Sequence, residues 1–301
     1  MVFTGVVAYP LTPFDADGAV NSAELALLVD RLAQSGVDSI AVLGSSGSFA
    51  YLDAEERKQV LAKAIEAAAG RMPVAAGISA VATREVVAGA RAAEQLGADG
   101  VVISPVSYLP LTDDELVALV EEAASATTLP ICLYNNPSTT QFSIDVELVA
   151  RLAHVPTLVA FKDTAATPAE FAQRSARLRG SLDRPLSHGV SGDSLIATGE
   201  VAADAWHTGL AALLPASYLA FRAAVLQGDS ARIAAERSRL VPVVQAVQRL
   251  RKLSGLHALG RACGVDAGDP RRPLLPIAGS EQRDLARLAE AFDDVEDGVL
   301  R

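Results

Sequence analysis

The amino-acid sequence predicts an α/β fold, a closed (β/α)8 barrel with a C-terminal helical extension. Short apolar segments alternate with amphipathic helical patterns from near the start of the chain to about residue 228, giving eight strand–helix pairs. A length of 301 residues is usual for such a barrel with an appendage. An open, doubly wound sheet is the alternative, but no Gly-x-Gly-x-x-Gly turn follows an early strand. The pattern therefore favours the closed TIM barrel.

The individual elements follow from local signals along the chain. The predicted strands are short, mostly apolar segments, at 5–11, 37–43, 73–78, 100–104, 130–134, 158–162, 186–190 and 206–211. The predicted helices carry a helical apolar period, at 22–35, 54–69, 83–96, 113–126, 144–154, 168–178, 194–203 and 216–227. Asn21, Asp53 and Thr112 precede three of these helices as capping residues.

From about residue 229 the alternation stops. Helical patterns at 231–252, 257–262 and 281–290 follow one another without an intervening strand. We therefore expect residues 1–228 to form the barrel and residues 229–301 to form a helical region packed on it.

Composition excludes several classes of function. A formal charge of −10 argues against nucleic acid or an anionic membrane as partner, and no apolar segment approaches the roughly 20 residues of a membrane span. Cys132 and Cys263 are too few for a disulfide framework, and the start of the chain has no visible secretory signal, so we expect a cytoplasmic protein. The four histidines are scattered, which predicts that no metal is bound.

Lys162 is the first candidate for chemistry. It ends the apolar segment 158–161, a strand expected to be buried on both faces, where lysine is normally excluded. Burial lowers the pKa of an amine, and only the neutral amine can attack a carbonyl carbon to form a Schiff base. On this strand alone, a lysine that reaches solvent or pairs with Asp163 is an equally good interpretation.

Other polar residues follow neighbouring strands at the barrel end where (β/α)8 enzymes place their sites. Gly44-Ser-Ser-Gly47 precedes a helix and could bind an anion through backbone N–H groups, although an ordinary turn is somewhat favoured by composition. Tyr134 ends the fifth strand, where a packed tyrosine is common and a proton shuttle is the functional alternative. Ser191-Gly-Asp193 is foremost a turn and helix cap.

These segments together resemble one family. Gly44-Ser-Ser-Gly47, Leu133-Tyr-Asn-Asn-Pro137, Phe161-Lys-Asp163, Ser191-Gly-Asp193 and Arg272-Pro-Leu-Leu-Pro276 fall in the order and spacing of the dihydrodipicolinate synthase / N-acetylneuraminate lyase family of class I aldolases. The resemblance covers nearly the whole chain.

The resemblance implies roles for individual residues. Lys162 would form a Schiff base with pyruvate or another 2-keto acid, with no cofactor beyond this covalent imine, and Tyr134 would move protons to and from the adduct. Ser46 would link Tyr134 to a proton relay that Tyr108 could complete. The residues implied in substrate binding are Ser45, Ser46, Gly47, Thr139, Gly192 and Ala211. The family also implies a homo-oligomer, a dimer or tetramer.

Departures from the family pattern bear on the substrate. Synthases of the family carry an arginine for the second substrate's carboxylate where this chain has Thr139, and a hydroxyl cannot replace a guanidinium there. Ser48 replaces the usual glutamate of the glycine turn, and Ser107 stands nearest a relay tyrosine, with Tyr108 next to it. The segment 209–215 is apolar and lacks a serine that is common in the family.

We therefore expect a Schiff-base-forming lyase that cleaves, condenses or dehydrates a 2-keto-3-deoxy sugar acid or a similar compound, with an aldehyde as a possible second substrate. The first alternative is 4-hydroxy-tetrahydrodipicolinate synthase, which joins pyruvate and aspartate semialdehyde. A non-catalytic keto-acid sensor is an alternative of another class. A metal-dependent aldolase is a third, disfavoured by the scattered histidines.

Overall fold

The computed structural model describes residues 2–292 and has the expected closed barrel. Every strand pairs in parallel with the next, and β8 closes the barrel on β1. The strands are β1 Gly5–Ala8, β2 Ser39–Val42, β3 Val74–Gly77, β4 Gly100–Ile103, β5 Ile131–Tyr134, β6 Leu158–Asp163, β7 Ser187–Ser191 and β8 Ala205–Thr208. Their carboxyl ends therefore share one rim, as the sequence predicted.

Helices follow the strands and cover the outside of the barrel. They are α1 Ser22–Ser35, α2 Ala54–Ala68, α3 Thr83–Leu96, α4 Asp113–Ser125, α5 Pro137–Thr140, α6 Val146–Arg151, α7 Pro168–Ser181, α8 Asp193–Ile196, α9 Pro215–Gln227, α10 Ser230–Arg249, α11 Lys252–Ala262 and α12 Gly279–Ala289. Asp53 and Thr112 form capping boxes with the glutamates three residues later, which fixes where α2 and α4 begin.

Alternating side chains along the strands divide the core in two. Outward side chains such as Val6, Ile40 and Val42 pack with the helices in one large apolar cluster. A second cluster, containing Val7, Tyr9, Val102, Cys132 and several alanines, is contributed by the alternate strand positions. The small alanine side chains in this inner cluster leave room for the larger groups beside them.

Several predicted elements differ from the structure in their bounds; the strand expected at 5–11, for example, ends at Ala8. The helix expected at 144–154 begins at Val146, because Asp145 caps it and the N–H of Ile144 donates to Asn135 instead, over 3.0 Å. The helix expected at 194–203 is only the short α8, and Gly199 adopts a left-handed φ of 72° shortly after it. The strand expected at 206–211 ends at Thr208 and continues into a short 3₁₀ helix, Leu210–Ala212.

The C-terminal region is helical as expected, but its divisions differ. The helix predicted at 231–252 ends at Arg249, because Leu250 and Arg251 are extended, and α11 then begins at Lys252 and not at residue 257. A Cβ on Gly260 of α11 would lie 3.2 Å from the side chain of Leu11 and 3.8 Å from that of Leu213, so this helix lies against the barrel. Residues 293–301 of the predicted C-terminal region lie outside the described residues.

Within residues 2–292, every helix is too short or too polar to cross a membrane.

Candidate active site

The Lys162 side chain is buried, with 6% of its surface exposed. It lies next to Tyr134 in the register of β5 and β6, so both point from the rim into the barrel. Burial is the main cause that lowers the pKa of the amine from 10.5 to about 7; the positive charge of Lys252 contributes in the same direction, while Cys132 and Asp193 oppose the shift. A large fraction of the amine is therefore neutral at neutral pH, as nucleophilic attack requires.

Two tyrosine rings enclose the amine. The Nζ atom of Lys162 lies 3.7 Å from the ring centre of Tyr9 and 3.8 Å from that of Tyr134. The hydroxyl of Tyr9 is 3.0 Å from Nδ1 of His207. Burial raises the pKa of Tyr9 and lowers that of His207, so both side chains are neutral near pH 7.

The hydroxyl of Tyr134 accepts a hydrogen bond from Ser191 over 3.4 Å. Burial raises its pKa, and the nearby charge of Asp193 adds to the effect, while the Ser191 hydrogen bond acts in the opposite direction. Tyr134 is therefore a neutral phenol beside the Lys162 amine that can donate a proton. Within residues 2–292 no hydrogen bond joins Tyr134 to Ser46, so the expected link between them stays a prediction.

The turn after β2 has an irregular backbone. Leu43 and Ser48, at its two ends, have left-handed backbones with φ of 59° and 57°, which is strained for a leucine. Gly77 makes this possible, since a Cβ there would overlap the carbonyl of Leu43.

Between these two residues lie Ser45, Ser46 and Gly47. Their backbone N–H groups make no hydrogen bond to any residue in 2–292, which leaves three donors for a carboxylate. The hydroxyl of Thr12 donates to the carbonyl of Gly47 over 2.7 Å and fixes the turn. Ser46 is buried against Gly209 of the segment after β8, where a Cβ would lie 2.5 Å from the Ser46 hydroxyl oxygen.

The segments after β7 and β8 are joined beside the site. Asp193 is buried and accepts hydrogen bonds from Thr208 and, over 2.9 Å, from the hydroxyl of Tyr218. It therefore anchors these segments and does not cap α8, whose first flanking residue is Gly192 with φ of 114°. Ala211 is buried in the 3₁₀ helix, and its N–H donates to Thr208 over 3.1 Å.

Two expected site residues lie at the surface of the chain. The side chain of Tyr108 is 87% exposed in the loop after β4. Thr139 is exposed in α5, and its hydroxyl donates to the carbonyl of Asn136 over 3.2 Å. Neither hydroxyl has a hydrogen bond to Lys162 or Tyr134 among residues 2–292.

Four residues at the site were not assigned from the sequence: Tyr9, His207, Ser191 and Lys252. Ser191 was assigned to a turn and Lys252 was given no role, yet the charge of Lys252 lowers the pKa of the Lys162 amine. A period-two reading of 5–11 and 206–211 would have placed Tyr9 and His207 on inward faces. Their mutual contact has no signal in the sequence, because it joins the first and last strands.

Taken together, the rim offers a partly neutral amine, a phenol that can transfer protons, and three backbone donors for a carboxylate. This set suits imine formation with a 2-keto acid. Among residues 2–292, no group of three or more histidine, cysteine, aspartate or glutamate side chains is arranged to hold a metal ion.

Comparison with known proteins identifies the family. The model of the dihydrodipicolinate synthetase family matches residues 2–292. An uncharacterised DapA-like lyase of Halobacterium salinarum is 30% identical over 292 residues, which cover 97% of this chain and 93% of that protein.

Solved structures agree in fold. The crystal structure of dihydrodipicolinate synthase from Agrobacterium tumefaciens superposes with a TM-score of 0.91 at 34% identity, covering 96% of this chain and 98% of that chain. The Escherichia coli K12 prophage protein YagE, solved in complex with pyruvate, has a TM-score of 0.88 at 26% identity, covering 97% and 99%.

Proposed function

The chain belongs to the dihydrodipicolinate synthetase family, and from this premise we propose that it is a Schiff-base-forming lyase that acts on pyruvate or another 2-keto acid. The observation that carries the proposal is the buried Lys162 amine, whose pKa of about 7 leaves it nucleophilic near neutral pH. Its position beside Tyr134 supports the same chemistry.

The reaction follows from the groups at the rim. The neutral Lys162 amine attacks the keto carbon, and loss of water gives a protonated imine. The bond between the β and γ carbons of the substrate, counted from its carboxylate, then breaks. Its electron pair moves toward the imine nitrogen, so that an aldehyde is released and an enamine remains. Tyr134 gives its proton to the hydroxyl that leaves as water when the imine forms, and the resulting phenolate takes the proton of the hydroxyl on the γ carbon. The same phenol then protonates the enamine carbon, and water releases the keto acid. The N–H groups of Ser45, Ser46 and Gly47 hold the carboxylate.

For the substrate, we favour a 2-keto-3-deoxy sugar acid or a similar compound, cleaved, condensed or dehydrated. The exposed hydroxyl of Thr139 supports this choice, since it stands where a synthase needs a guanidinium for a second carboxylate. YagE carries the name of a proposed 2-dehydro-3-deoxy-D-gluconate aldolase. 4-Hydroxy-tetrahydrodipicolinate synthase is the alternative, and its support is the likeness to the A. tumefaciens protein.

Trapping the imine tests the proposal. The protein is incubated with pyruvate, reduced with borohydride and digested, and the modified peptide is located by mass spectrometry. We expect a pyruvyl adduct on Lys162 that is absent from Lys162→Ala. Failure to label Lys162 with pyruvate and with longer 2-keto acids would contradict the proposal.

A second assay separates the candidate activities. Pyruvate release from 2-keto-3-deoxy sugar acids is compared with consumption of aspartate semialdehyde in the presence of pyruvate, and we expect the first. A protein that forms the imine but does not exchange the methyl protons of pyruvate would be the sensor. Activity unaffected by chelators would exclude the metal-dependent aldolase.

The remaining parts of the proposal concern the assembly and its setting. Val81, Tyr108 and Leu109 are exposed on the loops after β3 and β4, and this surface, the 81/108–109 patch, supports a homo-oligomer in which Tyr108 approaches the site of a second copy. Thr139 would meet the distal part of the substrate.

We propose that the enzyme works in the cytoplasm with no cofactor other than the covalent imine, and with neither nucleic acid nor membrane as partner.

A further inference from the structure

The strongest unexplained feature of the barrel is the contact between Tyr9 and Lys162. Tyr9 comes from β1 and Lys162 from β6, and the Nζ atom stands over the face of the Tyr9 ring, 3.7 Å from its centre. The resemblance and the mechanism above give Tyr9 no role. The electron-rich face of an aromatic ring attracts a cation, and the attraction is strongest where water is absent.

The surroundings fix the orientation of this ring. The Tyr9 hydroxyl is held at 3.0 Å by Nδ1 of His207. A Cβ on Gly44 would lie 2.7 Å from Cδ1 of Tyr9, and a Cβ on Gly189 would overlap Nε2 of His207. Two glycines therefore make room for a buried tyrosine–histidine pair, and the pair in turn keeps the ring face against the amine.

Few other groups stabilise a positive charge on the Lys162 nitrogen. Among residues 2–292 no carboxylate forms an ion pair with Lys162, and the carboxylate that acts on it, Asp193, has less effect than burial. The imine must stay protonated during the reaction, because only the protonated form is an effective electron acceptor. The free-energy cost of a buried positive charge therefore applies to the imine as well as to the ammonium group. The positive charge therefore lies between two ring faces, those of Tyr9 and Tyr134.

We propose that Tyr9 is a further residue of the imine site, whose ring face stabilises the cationic nitrogen of Lys162 as ammonium and then as protonated imine, and that His207 is the residue that positions this ring. The inference rests on the proposed function for its imine step. It differs from the role of Tyr134, because Tyr9 acts through its ring and not through transfer of its hydroxyl proton.

The ammonium part is tested without any keto acid. The chain has four lysines, so labelling with lysine enriched in ¹³C at Cε gives a spectrum in which Lys162→Met identifies the Lys162 signal. The shift of that signal is followed with pH. Several charged or titratable groups act on the amine or on one another around it, namely Tyr9, Cys132, Tyr134, Asp193, His207 and Lys252. The variants change only Tyr9 and leave the other charged and titratable groups in place.

We expect Tyr9→Phe to keep the midpoint near 7, because the ring remains. Tyr9→Leu should lower it by about one pKa unit, a tenfold loss of the ammonium form, because the cation loses one ring face. If Tyr9 only packs the core, the Tyr9→Leu midpoint should rise instead, because loosened packing admits water and moves the Lys162 pKa toward 10.5. An unchanged or raised midpoint in Tyr9→Leu would overturn the proposal.

Fluorination provides a variant of nearly unchanged shape. Trifluorophenylalanine at position 9 withdraws electron density from the ring face, and we expect the Lys162 midpoint to fall below that of Tyr9→Phe. Equal midpoints in these two proteins would exclude a contribution of the ring, even if Tyr9→Leu does not fold.

The imine part uses pyruvate above pH 8, where the amine of each variant is mostly neutral. We expect imine formation, measured by borohydride trapping at limiting pyruvate, to weaken about tenfold in Tyr9→Leu and to be kept in Tyr9→Phe. Loss in Tyr9→Phe would make Tyr9 a proton donor and contradict the proposal. Absence of any imine in the wild type would refute the proposed function, while the titration would still decide whether Tyr9 stabilises the ammonium.

Discussion

At the scale of single residues, burial of the Lys162 amine lowers the stability of the folded protein. The folded state holds this amine with a pKa of about 7, whereas the unfolded chain gives it a pKa of 10.5. Between these two pH values the unfolded chain binds more protons than the folded protein, so stability rises with pH in that window. The cost of burying the amine is therefore fully present below pH 7 and disappears above pH 10.5.

We expect Lys162→Met to raise the free energy of unfolding at pH 7 by about 3 to 5 kcal/mol, since a shift of one pKa unit corresponds to about 1.4 kcal/mol. Methionine keeps the length of the side chain and removes its charge. Urea unfolding at pH 7 and pH 9.5 measures the difference between the two proteins. The difference should shrink at the higher pH, and a constant difference would show that packing and not titration is responsible.

At the scale of elements, strand β6 places a buried amine on one face and a buried ion pair on the other. Lys162 points inward, and the next residue, Asp163, points outward and is fully buried. Its carboxylate forms an ion pair with Arg174 of α7 over 2.7 Å and accepts from Asn135 over 2.8 Å. His188 of β7 lies 3.2 Å from the same carboxylate. These contacts join β5, β6, β7 and α7 directly behind the lysine.

We expect Asp163→Ala to lower the free energy of unfolding by about 3 kcal/mol, because the largely buried Arg174 would keep only the more distant carboxylate of Glu170, at 4.0 Å. Urea unfolding at neutral pH measures this. Glu147→Ala is the matched control, since it breaks the ion pair with Arg177, in which both side chains are exposed. That change should cost less than about 1 kcal/mol. Equal losses in the two variants would contradict the structural role of Asp163.

At the scale of the whole molecule, closure of the barrel gathers residues that are far apart in the chain. Tyr9 and His207 come from the first and last strands and meet because β1 pairs with β8. The turn at 44–47 reaches Gly209 for the same reason. The exposed 81/108–109 patch lies on neighbouring loops at this rim, where a second copy of the chain could cover it.

We expect Leu109→Glu to shift the protein toward the monomer, because it places a charge in the 81/108–109 patch. Sedimentation over a range of protein concentrations measures the assembly. Leu226→Glu is the control, since Leu226 lies on α9 and is equally exposed, at 70% against 69% for Leu109. A wild-type protein that is monomeric at all concentrations would contradict the proposed oligomer.

The sequence by itself determined the order of strands and helices, since these depend on local periodicity and capping. It also singled out Lys162 as a candidate for chemistry, and the resemblance of the whole set of motifs to one family favoured the catalytic interpretation over the structural one. The long-range contacts could not be read from it. Helix bounds at 144, 194 and 250 depended on hydrogen bonds and backbone angles that tertiary packing selected.

Only the tertiary structure decided what surrounds the amine. Tyr9 and His207 are separated by nearly two hundred residues, and no local pattern indicates that they meet beneath Lys162. The same holds for Ser191 at the Tyr134 hydroxyl and for the charge of Lys252. The physical reason is that the pKa and orientation of a buried group depend on whatever the closed barrel places within a few ångströms of it, whatever the distance along the chain.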